Sequence, residues 1–111
     1  MKMSSGFETV ASGEAGKPYG HVPGHQYHDV EVGIGRRGIQ YRCVILETWG
    51  SAQGYDEEHG RIKVVARAYD WRKALAGASR RAKDAGINAA YMAQAMSECE
   101  DAAADAINEQ V

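Results

Sequence analysis

The spacing of apolar residues along this chain changes at Asp70 from a period of two to a period of about 3.6. Before that point Val30, Val32 and Ile34 alternate with polar residues, as they do in a half-buried strand. Residues 39–49 carry apolar side chains on both faces and are predicted to form a central strand, and residues 61–69 alternate again. The pattern therefore predicts three strands followed by helices.

The helical part begins with a residue suited to capping, because the Asp70 carboxylate can accept hydrogen bonds from the free amides of a first turn. Apolar residues from Trp71 onward share one helix face, and Gly86 is placed to end the helix. Asn88 is placed to cap a second amphipathic helix that runs to about residue 109. We predict an α+β domain over residues 27–111, with an antiparallel three-stranded sheet followed by two amphipathic helices packed on one face (βββαα). Residues 1–26, which contain Gly, Ser and Pro without a regular period, are predicted to be a flexible arm.

Composition limits the class of protein. The chain has 111 residues, of which 44% are hydrophobic and 25% are charged. This length and composition predict one soluble globular domain and exclude a division into two domains. No apolar run approaches the roughly 18 to 20 residues that a membrane helix needs, and the first residues do not resemble a secretory signal. Cys43 and Cys99 lie far apart in predicted regular elements, so we expect two buried thiols and a reducing, cytoplasmic location.

Charge is distributed unevenly along the chain. Residues 36–83 contain 11 Lys and Arg against 5 acidic residues, whereas residues 84–111 contain 6 acidic residues and no Lys or Arg. These halves are expected either to neutralise each other or to face a partner. The basic residues predicted to bind a partner lie at a hairpin tip, on one strand face and on the helix back: Arg36, Arg37, Arg61, Lys63, Arg67, Arg72, Lys73, Arg80 and Lys83.

Three motifs are candidates for functional sites. Residues 33–38 match the G-x-G-x-x-G pattern, but a strand rather than a helix follows, so a hairpin is predicted. His21, His25 and His28, with His59, have a spacing that zinc sites use, but nothing fixes their geometry, and no metal or cofactor is predicted. The loop 50–60 is interpreted either as a solvated acidic loop or as a loop that contacts a partner, and no catalytic residues are assigned. Its candidate residues are Tyr55, Asp56, Glu57 and His59.

The functional prediction is a small non-catalytic binding protein that acts through a protein or nucleoprotein partner. An inhibitor of a host system, encoded by a phage or mobile element, is an example of that class. One alternative is a nucleic-acid-binding protein that uses the basic strand and helix surface. Another is a small-ligand site, for a nucleotide, or an enzymatic site at an oligomer interface. A homodimer through the Ala-rich C-terminal helix is compatible with each of them.

Overall fold

Four strands and two helices follow one another in the computed structural model, which describes residues 3, 6–18, 26–51 and 60–108. The strands are β1 (Glu8–Lys17), β2 (Gln26–Arg37), β3 (Gln40–Ser51) and β4 (Gly60–Ala68). The helices are α1 (Trp71–Ala85) and α2 (Ala89–Ala103), and a π-helical turn (Ala104–Asn108) continues α2. The strands form one antiparallel sheet in the order β1-β2-β3-β4, so each strand pairs with its neighbours in sequence.

The prediction of a three-stranded sheet is wrong, although the α+β class is confirmed. The additional strand, β1, lies in the segment 1–26 that was predicted to be a flexible arm. Its inward-facing residues are small, namely Ala11, Gly13 and Ala15, so they give little hydrophobic signal. A shift of register between Thr9 and Ala11 also interrupts the alternation.

Small residues in β1 are required because α2 lies directly on it. A Cβ atom added at Gly13 would be 2.1 Å from the Ala95 carbonyl oxygen and 2.7 Å from the Cys99 amide nitrogen. Ala95, Cys99 and Ala103 form the buried face of α2 at this contact. The Ala-rich face that was considered as a dimer seam is therefore used within the chain. Homodimerisation stays a prediction and needs another surface.

The core lies between the helices and one face of the sheet. Val30, Val32 and Ile34 of β2 pair with the inward-facing residues of β3 and are completely buried. Trp71 and Leu75 contribute the largest side chains of α1 to the same cluster. The interior position of β3 is confirmed, because β3 lies between β2 and β4. The apolar residues of β2 and β4 share one face as predicted, but Asp29, Gly33 and Gly35 on the other face of β2 are buried too.

The ends of the helices are also as predicted. The Asp70 carboxylate accepts from the amides of Arg72 and Lys73 at 2.8 and 3.2 Å. Gly86 ends α1 with φ +81°, and the Asn88 side chain caps α2 by accepting from the Tyr91 amide at 2.9 Å. The segment that matches G-x-G-x-x-G ends in the turn between β2 and β3, which confirms the predicted hairpin.

Both cysteines are free thiols in the core. Burial raises the pKa of the Cys43 thiol, and burial together with Glu100 and Glu98 raises that of Cys99 to about 12. Both are therefore protonated at neutral pH and pack as small apolar side chains. No helix in the described part of the chain has the length and apolar character needed to cross a membrane.

Candidate functional site

The outer edge of β4 is the structural basis of the candidate site. Within the described residues no strand pairs with this edge. Arg81 of α1 reaches over it and donates from its guanidinium to the Val65 carbonyl. That carbonyl points away from β3, and antiparallel pairing alternates, so the backbone groups of Lys63 and Arg67 point the same way. A row of backbone donors and acceptors therefore lines the edge.

A groove of about 470 Å³ runs between this edge and α1, and we call it the β4 groove. Its floor is formed by small residues, Ala66 and Ala68 of β4 and Gly77 of α1. A Cβ added at Gly77 would lie 3.2 Å from the Ala66 Cβ, so the glycine lets the helix lie close to the strand. The groove is thus shallow and borders the unpaired edge.

The walls of the β4 groove are basic. Arg67 from β4 and Lys73, Arg80 and Arg81 from α1 line it, with Asp84 as the single acidic residue among them. Arg67, Lys73 and Arg80 are exposed, so their charges reach solvent and any ligand in the groove. Clustered like charges beside a low-dielectric surface create a local potential that attracts anionic groups. The groove therefore favours a negatively charged ligand.

A second group of arginines extends this basic surface towards the β2–β3 hairpin. The Phe7 ring is 5% exposed and lies on the sheet face that the helices do not cover. The guanidinium carbons of Arg37, Arg42 and Arg67 lie 4.6, 5.9 and 5.6 Å from its centroid, within the range of cation–π contacts. Because Arg67 belongs to both groups, the hairpin and the β4 groove share one continuous basic surface.

The structure brings some of the predicted basic residues together and separates others. Arg67, Lys73 and Arg80 meet in the β4 groove, and Arg36 and Arg37 lie at the hairpin. Arg61 and Lys63 are exposed further along β4. Arg61 lies six residues before Arg67, which is about 20 Å along the strand. Two further predicted residues, Arg72 and Lys83, do not line the groove. Their role in binding, and that of the whole predicted set, stays a prediction.

Arg72 instead stacks its guanidinium on Trp71, with 4.2 Å between its guanidinium carbon and the ring centroid. Arg81, which sequence reasoning did not select, is central to the groove. The signal for it was present, because Arg81 follows Arg80 and lies at the border between the apolar and basic faces of α1. A border position is where a long side chain can reach a neighbouring strand.

The other predicted residues divide into two groups. Tyr55, Asp56, Glu57 and His59 lie outside the described residues, as do His21 and His25. His28 is described, and its Nε2 atom lies 2.7 Å from Oε2 of the buried Glu47. The same Glu47 oxygen accepts from the Asn88 amide at 3.0 Å, which joins the sheet to the start of α2. His28 thus takes part in a contact between strands and helix.

Comparisons with known proteins gave no relatives. No protein-family model matches the chain, and neither the curated proteins nor the solved structures that were searched contain a match.

Proposed function

We propose that this protein is a non-catalytic binding protein that holds an extended acidic segment of a partner protein along β4. The observation that carries the proposal is the edge of β4, which pairs with no strand in the part of the chain that the structure describes, beside a groove lined by four basic residues. In strand addition, main-chain hydrogen bonds supply affinity and side-chain contacts supply specificity. The β4 edge offers the first, and Arg67, Lys73 and Arg80 offer the second to acidic side chains.

A protein partner is favoured over nucleic acid for two reasons. An unpaired strand edge matches another strand, whereas phosphate backbones are held mainly by basic side chains and helix ends. The chain also has a net charge of −2, and α2 carries Glu98, Glu100 and Asp101 in exposed positions, which oppose a long polyanion. A nucleoprotein partner is compatible if its protein component occupies the edge. Inhibition of a host system and absence of catalysis stay predictions.

Nucleic-acid binding is the second candidate, and the arginines around Phe7 support it. Arg37 is exposed at the hairpin and lies with Arg67 against the Phe7 ring. Arg36 is also exposed at the hairpin and lies over Tyr41. Single strands bind to surfaces that combine cationic residues with planar groups on which bases stack. This candidate requires affinity that falls steeply as salt rises, because each phosphate contact releases counterions.

Fluorescence anisotropy separates the two candidates. One probe is a labelled peptide in which Glu alternates with Val, and a second is the same peptide with prolines at alternate positions. Proline has no amide proton, so the second probe cannot form the strand ladder. The other probes are duplex DNA, duplex RNA and single-stranded DNA at roughly 50 and 200 mM salt. The proposal expects binding of the first peptide only, whereas salt-sensitive binding of nucleic acid alone would favour the second candidate.

Paired charge reversals test the location of the site. The variant Arg67→Glu/Arg80→Glu places acidic residues in the β4 groove and is expected to abolish binding of the Glu-Val peptide. The control Arg72→Glu/Lys83→Glu makes the same change in net charge on residues that do not line the groove. It is expected to retain most of the affinity. Equal loss in both variants would show that only the overall charge matters, and the β4 groove would be rejected as the site.

A further inference from the structure

Three carboxylates converge on the sheet face that the helices do not cover, at the β1–β2 pair. Glu14 of β1 lies directly opposite Glu31 of β2, and Asp29 lies two residues before Glu31 on the same face. Carboxylate oxygens of the three residues lie within 4.8 Å of one another. Like charges directly opposite each other in a sheet are destabilising. The repulsion among these carboxylates must therefore be offset by a proton or by a positive charge.

Asp29 is the unusual member of this acidic cluster. It is only 4% exposed, although it lies on a face without helices. Its Oδ1 atom is buried and has no hydrogen-bond partner among the described residues. A buried carboxylate oxygen without a partner is costly, because the water that it loses is not replaced. The Asp29 side chain also offers an oxygen to the cluster, so a cation bound there would replace part of the solvation that Asp29 loses on burial.

We propose that Glu14, Asp29 and Glu31 form a binding site for a hard divalent cation such as Ca²⁺, Mg²⁺ or Mn²⁺. These ions prefer carboxylate oxygens, and water molecules complete their coordination. The pairing of β1 with β2 fixes the separation of the three residues, so the ligands are held by the sheet rather than by a loop. The proposal is independent of the proposed function, because it uses the opposite half of the sheet.

The basic residues of β4 on this sheet face are separated from the cluster by β3 at the backbone. Arg61 lies in the same cross-strand row as Asp29, with Thr48 between them, and Lys63 lies in the row of Glu31, with Leu46 between them. Both belong to β4, two strands from β2, which is about 10 Å at the backbone. A cation placed among the carboxylates would interact with all three of them directly.

Calorimetric titration of the purified full chain, after dialysis against EDTA, tests the site. CaCl₂, MgCl₂ and MnCl₂ are each titrated, and the melting temperature is measured with and without each ion. The proposal expects saturable binding of at least one ion and a rise in melting temperature of at least about 5 °C when that ion is in large excess. No binding by any of the three ions up to about 10 mM would overturn it.

Single-residue variants connect any binding to these ligands. Asp29→Asn and Glu14→Gln each remove one anionic ligand and are expected to weaken binding about tenfold or more. The control Asp101→Asn removes an exposed carboxylate from α2 and is expected to leave binding unchanged. Unchanged affinity in both cluster variants, or equal weakening in the control, would reject the site. The cluster would then be held by a shared proton alone, which pH dependence without any metal effect would show.

Discussion

Replacing Gly13 with alanine tests whether α2 packs on β1 as closely as the structure indicates. Gly13 lies within β1 and is not among the residues with positive φ, so its backbone accepts alanine without strain. At a compatible position this substitution stabilises a protein by about 0.4 to 1 kcal/mol, since it restricts the unfolded chain. A gain in the free energy of unfolding would therefore indicate free space at Gly13, and a loss would indicate close packing.

The packing of α2 on β1 makes Gly13→Ala destabilising instead of stabilising. The new Cβ would lie 2.1 Å from the Ala95 carbonyl oxygen, whereas ordinary contacts begin near 3.4 Å. Backbone atoms of α2 must therefore move by about 1 Å, which would open gaps beside Cys99 and Ala103. Overpacking of this kind costs about 1 to 3 kcal/mol. Because backbone is displaced, we expect a net loss of about 2 kcal/mol after the gain in the unfolded state.

Urea unfolding followed by circular dichroism measures this difference in the free energy of unfolding. The control is Ser12→Ala, which changes the adjacent, exposed residue of the same strand and is expected to stay within about 0.5 kcal/mol of the unmodified chain. If Gly13→Ala proves neutral or stabilising while Ser12→Ala is neutral, α2 does not lie on β1 at this distance. The explanation of why β1 needs small residues then fails.

Two further predictions concern buried carboxylates. Burial, with Glu14 and Glu31 nearby, raises the pKa of Asp29 from 3.8 to about 7, so the folded state holds this proton more tightly than the unfolded state. In EDTA, the stability of Asp29→Asn relative to the unmodified chain should therefore rise between about pH 4 and pH 7 and then level off. A flat or falling difference in urea unfolding would contradict this cause. Glu47→Ala removes the acceptor shared by His28 and the Asn88 amide and should lower the free energy of unfolding by about 1 to 3 kcal/mol. Glu47→Gln keeps an acceptor oxygen and should recover part of this loss. Equal losses in the two variants, measured by urea unfolding, would show that this shared acceptor is not what Glu47 contributes.

Periodicity and capping predicted most of the fold because they depend on local chemistry. The alternation of β2 and β4, the capping by Asp70 and the end of α1 at Gly86 each follow from neighbouring residues. β1 was missed for a tertiary reason. Its inward positions are small because α2 occupies the space, and the partner surface is far away in sequence.

The candidate site was predicted in its residue types but not in its grouping. Alternation placed Arg67 on the open face of β4, and the helical period placed Lys73 and Arg80 on the polar side of α1. Whether these two surfaces meet depends on how α1 lies against the β4 edge, which Gly77 and Ala66 determine. The burial of Asp29 was equally hidden, because its position in an alternating strand indicated a solvent-facing side chain.

The order of strands in the sheet has a consequence for how the chain folds. Hairpins between sequence neighbours can assemble the sheet with short loop closures, which carry a low entropic cost and favour fast folding. The contact of α2 with β1 is different, because it joins segments about 80 residues apart. During synthesis the inward side of β1 therefore lacks the cover of α2 until α2 leaves the ribosome. Docking of α2 closes this side of the sheet, so we expect it to be the step that protects β1 from aggregation.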